Sequence, residues 1–121
     1  MKTQQILQTA DGLSQKLSKK EVKRDYIEQV FRYVLDQQKR KDEIQSRADL
    51  KKLVSNMKNS GFEKRSKSTE NQYKNAAEIL ENFKIQESQN LLDASLDNLI
   101  KILGYTVRLM RYYETKKGDR E

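Results

Sequence analysis

No proline interrupts the 121 residues of this chain, and apolar side chains return every three or four positions along most of its length. A helix advances about 100° per residue, so this spacing gathers the apolar side chains into a stripe on one face. No segment alternates apolar and polar residues over a useful length, and no strands are assigned. A strict heptad seam is not sustained, which favours a bundle over a long coiled coil. The expected fold is all-α: residues 1–121 form a single domain, a compact bundle of about five helices with a long C-terminal helix.

The first helix is expected from Thr3 to Leu17, with Ile6, Leu7, Ala10, Leu13 and Leu17 inward and Gly12 as a point of weakness. Ser18 and Glu21 have capping-box spacing and would open a second helix running to Lys41. That helix presents Val22, Tyr26, Val30 and Val34 beside Ile27, Phe31 and Leu35, a sector wide enough for the centre of the bundle. Its outer side, with Glu28 and Arg32 four residues apart, reads as solvated. Ser46 is a candidate cap for a third helix ending near Asn59, with Gly61 as its stop and Leu50, Leu53, Val54 and Met57 buried. Thr69 and Gln72 suggest another capping box, opening a fourth helix with Tyr73, Ala76, Ala77, Leu80 and Phe83 inward. The last helix is expected from Ser88 to Lys116, with Leu92, Leu96, Leu99, Leu103, Val107 and Met110 as its core stripe.

Composition removes several kinds of chemistry. The chain has no histidine and no cysteine, so imidazole and thiolate catalysis are absent and soft metal sites are not expected. A di-metal carboxylate bundle would need inward Glu-x-x-His pairs, which this chain lacks. Glycine-rich phosphate or dinucleotide loops are missing too. The expectation is a non-enzyme with no cofactor and no metal. No apolar run approaches the roughly 20 residues that span a bilayer, so a cytoplasmic protein without a membrane partner is expected.

Charge is unevenly distributed. The net charge is +7; residues 1–67 hold 17 Lys/Arg against 9 Asp/Glu, while residues 68–121 hold 8 against 9. An excess confined to one half points to a polyanion partner. On the third helix Lys51, Lys52, Ser55 and Lys58 lie away from the apolar stripe, and Lys64, Arg65 and Lys67 follow in the next loop. With Lys39, Arg40 and Lys41 at the end of the second helix, these ten residues are the candidate nucleic-acid contacts, suited to backbone phosphates.

A second surface lies on the last helix. Lys101, Tyr105, Arg108 and Tyr112 are spaced four, three and four apart, on the side opposite the core stripe. Tyr and Arg can stack on unpaired bases, and they are also enriched at protein-binding hot spots. The row is assigned as a protein interface, because an aromatic face outside the core packs on a partner.

A basic, proline-free helical chain of this size, ending in the Tyr-rich helix "YTVRLMRYYETKKGD", resembles the small subunits of CRISPR effector complexes, of the Cascade type or type III. The resemblance implies a non-catalytic subunit of a ribonucleoprotein, lining the groove for single-stranded RNA or DNA along a guide-RNA filament. It also implies contacts with backbone and large subunits and with copies of itself. The alternative, from a different class, is a helical protein–protein adaptor or regulator that binds no nucleic acid. A dimeric duplex-DNA regulator would need a base-reading helix, and the lysines of the third helix suit phosphate instead.

Overall fold

A computed structural model describes residues 1–40, 42–59, 66–85 and 89–119, with side chains up to 114. Its architecture is the expected all-α bundle: α1 (Thr3–Lys19), α2 (Arg24–Gln38), α3 (Glu43–Met57), α4 (Lys67–Asn82) and α5 (Leu96–Asp119). Lys41, Gly61, Lys64, Arg65 and Ser88, each assigned a role above, lie outside the described residues. None of the described helices is long and apolar enough to cross a membrane.

The helix boundaries differ from the expected ones where two signals compete for the same residues. Ser18 and Glu21 do not open α2. They close α1: the amide of Glu21 donates to Ser18 O (3.0 Å) and that of Val22 to Leu17 O (3.0 Å). This is a Schellman ending, sealed by the buried pair Leu17 and Val22. Glu21 takes the left-handed position of that turn, at φ 57°. Gln72 of α4 then clamps the turn from outside, accepting from Lys23 N and donating to Glu21 O, both at 2.8 Å. Gln72 is thus part of a tertiary clamp, not a capping box; Ser66 caps α4 by accepting from Thr69 N. Asp42, not Ser46, caps α3, accepting from Gln45 N at 3.0 Å. Ser46 is buried one turn further in.

The segment before α5 holds the one departure from a purely helical chain among the described residues. β1 (Lys84–Ile85) pairs antiparallel with β2 (Gln89–Asn90), Lys84 opposite Asn90 and Ile85 opposite Gln89. Strands of two residues are too short to display a period of two, so sequence pattern has no hold on them. A single 3-10 turn, Leu91–Asp93, follows and buries Leu91 and Leu92. α5 therefore starts at Leu96, later than expected.

α5, rather than α2, is the central helix. It packs most extensively, against α1 and α2. Leu96, Leu99, Leu103, Val107 and Met110 of its expected stripe are buried, and Ile102 and Thr106 widen the buried arc; Leu92, the sixth, is buried from the 3-10 turn. α2 buries Ile27, Val30, Val34 and Gln37, while its bulky Tyr26, Phe31, Tyr33 and Leu35 are only half-buried. α2 and α5 run antiparallel, with Gln38 bonded to Asp97 at one end and Arg24 to Glu114 at the other. The Phe31 ring lies against Gly104 of α5, where a Cβ would sit 3.4 Å from the ring. Its outer side is in part a seam: Glu28 meets Arg32 at 4.0 Å, as expected, but also Arg24 at 3.3 Å and Arg111 of α5 at 3.4 Å.

α4 crosses the other side, with Tyr73, Ala76, Ala77, Leu80 and Phe83 all inward as expected. Tyr73 meets Tyr26 edge to face, ring centroids 4.8 Å apart. α1 is continuous through Gly12, which faces the Phe83 ring, and its Leu7 is exposed rather than inward. The core is single, and Leu91 and Leu99 are completely buried in it. Truncating either to Ala would cost about 2–5 kcal/mol, by lost transfer energy and a residual cavity.

Candidate nucleic-acid interface

The lysines of α3 do not make a free, one-sign face. Lys51, Lys52, Ser55 and Lys58 are all exposed, as the helical spacing requires. Lys51 and Lys58, however, lie on the flank facing α4 and the 3-10 turn. Lys51 Nζ pairs with Asp93, and Lys58 Nζ with Glu81 at 2.7 Å. The Lys51 ammonium holds the Asp93 carboxyl below the ordinary aspartate range, first by hydrogen bonding and then by charge. Arg47 reinforces the same corner, donating to Asp93 O at 3.2 Å. Lys51, Glu81, Asn90, Leu92 and Asp93 line a small cleft of about 230 Å³ there. Two of the α3 cations thus tie α3 to its neighbours, while Lys52 makes no ion pair within 4.0 Å among the described residues. The difference has a plain cause. Helical spacing says which residues leave the core face, but not what the adjacent element offers them.

The remaining candidates are scattered along the fold. Lys39 and Arg40 are exposed just past the end of α2, and Lys67 is exposed at the start of α4. Lys41, Lys64 and Arg65 cannot be placed with them, being outside the described residues.

A different set of lysines comes together. Lys16, Lys19 and Lys20 end α1 beside the last turns of α4, around a groove of about 370 Å³ lined also by Glu78, Ile79, Asn82 and Phe83. None of the three makes an ion pair within 4.0 Å among the described residues. Lys16 Nζ stands 5.4 Å from the centroid of the Phe83 ring, within cation–π range. A second depression on the other side of Phe83, lined by Gln5, Gln8, Thr9 and Lys84, continues the edge. Cations in a last helical turn also favour the helix dipole, so these lysines stabilise α1 while remaining available to a ligand. The sequence carried a signal for them: no acid occurs between Asp11 and Glu21.

On α5, Lys101, Arg108 and Tyr112 are exposed and Tyr105 is half-buried. Arg108 lies over the Tyr105 ring, 5.5 Å from its centroid. The Tyr112 ring meets that of Tyr113 at 5.6 Å. Tyr113 itself turns toward α1, donating to Asp11 Oδ1 at 3.1 Å; this bond to a carboxylate raises its phenol pKa. Among the described residues, no cluster of three or more Asp or Glu side chains is suited to a metal ion. Comparison with known proteins finds no matching family model, no matching curated sequence and no matching solved structure.

Proposed function

We propose that this chain is a non-catalytic helical subunit of a ribonucleoprotein that holds a single nucleic-acid strand by its backbone, in the manner of the CRISPR small subunits it resembles. The observation that supports this reading is the Lys16–Lys19–Lys20 cluster around the α1–α4 groove, which makes no ion pair among the described residues. Three ammonium groups on a shared rim suit phosphates, and the apolar floor of Ile79 and Phe83 suits a base or a sugar face. Lys84, on the far side of Phe83, extends the path along α1. Lys52 on α3 is an outlying contact. Guide-RNA filament, backbone and large subunits, and further copies of the chain are the partners this reading calls for.

The test is direct. A labelled 20-nucleotide RNA is titrated with the purified chain at several salt concentrations. The affinity is expected to fall with salt at a slope of about −0.7 per neutralised phosphate. K16Q/K19Q/K20Q should flatten that slope by about two and leave the helical circular dichroism intact. If the chain binds neither RNA nor DNA strands at 100 mM salt, or the triple variant binds like the parent, the proposal fails.

A further inference from the structure

A second groove, distinct from the lysine groove, has a different chemistry. Between α2 and α5 runs a groove of about 320 Å³, lined by Phe31, Leu35, Gly104 and Val107, with Arg32, Arg108 and Arg111 on its rim. Its floor is apolar and accessible because Phe31 and Leu35 are only half-buried, the Phe31 ring resting on Gly104. The rim holds three guanidinium groups against one carboxylate, Glu28, which is already shared by Arg24, Arg32 and Arg111. Arg108 makes no ion pair among the described residues and lies over the Tyr105 ring.

We infer that this groove docks an acidic amphipathic segment of a partner protein. Charge complementarity selects the occupant. The floor takes one or two large apolar side chains, and the volume matches that size. Guanidinium groups bind carboxylates in a two-pronged geometry, which fixes a segment's register. A helix with an apolar side chain flanked by Asp or Glu meets both demands at once, as in helix-in-groove recognition. A nucleic-acid strand is the other polyanion that could meet these guanidinium groups, and the RNA competition below separates it from a peptide. The Tyr105–Tyr112 row borders the same groove through Arg108 and extends the contact area. This inference is independent of the lysine cluster and survives if that cluster binds nothing.

The test uses the full chain as bait for a random 12-residue peptide library, counter-selected on an R32E/R108E variant. Both side chains are exposed, and neither carries the fold; a thermal melt checks this. Enriched peptides are expected to carry at least two acidic residues beside an aromatic or aliphatic one. A labelled representative should bind the parent at least about tenfold more tightly than R32E/R108E, and lose as much when its acids become amides. Methyl NMR should place its contact on Leu35 and Val107. Failure to enrich any acidic consensus overturns the inference. So does equal binding to the variant, or displacement of the peptide by equimolar RNA oligonucleotide.

Discussion

Two lysine clusters, at the end of α1 and on α3, differ in what surrounds them and not in what they are. Lys51 and Lys58 point across a helix interface and meet Asp93 and Glu81. Lys16, Lys19 and Lys20 stand beside α4 where its surface offers Ile79, Asn82 and Phe83, with Glu78 as the lone acid. The same ammonium group is a structural strut in one place and an available cation in the other. Counting positive charge along a chain therefore overstates a polyanion surface, because each cross-element carboxylate subtracts from it.

The largest expected effect comes from making the α3 cluster resemble the α1 cluster. E81Q/D93N releases Lys51 and Lys58, and RNA affinity should rise about tenfold at low salt, with a salt slope steeper by about 1.4. An anisotropy titration reads this; unchanged affinity would mean that α3 faces away from the bound strand. Next is the turn that presents Lys19 and Lys20. Replacing Gln72 by Leu removes both hydrogen bonds to that turn and should cost about 1–2 kcal/mol, read from urea melts. At the same turn Glu21→Gly should raise stability by about 0.5–1 kcal/mol, since glycine enters the left-handed region without a Cβ clash. A destabilised E21G would show that the Glu21 side chain has a role beyond its backbone.

The smallest effect concerns pH. Asp93 is solvent-exposed, and Lys51 lowers its carboxyl pKa in the folded chain. A depressed folded-state value means that the pairing stabilises the fold above the ordinary aspartate pKa of about 3.9 and is lost as pH falls through the lower, folded value. Carboxyl NMR should therefore show Asp93 titrating below that value, and K51M should return it to the ordinary range. The change in stability should be slight, because both partners are solvated.

How far the sequence reaches is shown by α5. The stripe Leu96, Leu99, Leu103, Val107 and Met110 was legible without coordinates, and every member is buried; Leu92, expected on the same helix, is buried from the 3-10 turn before it. The inward set of α4 was equally legible. Both follow from the pitch of a helix, which is a local property. The sequence misled where one pattern has two meanings. Ser18-x-x-Glu21 matches a capping box, but burial of Leu17 and Val22 selects the Schellman ending instead. Ser46 looked like a cap and is a core residue, because Asp42 lies closer to the true start of α3.

By itself, then, the amino-acid order determined that this chain is helical, proline-free and basic, and which side of α4 and α5 turns inward. Tertiary structure decided which cations are paired across elements, which helix is central, and where the grooves lie. The reason is range: helical periodicity acts over three or four residues, whereas the carboxylate that neutralises Lys51 lies 42 residues away and reaches it only after α3 has packed against the 3-10 turn.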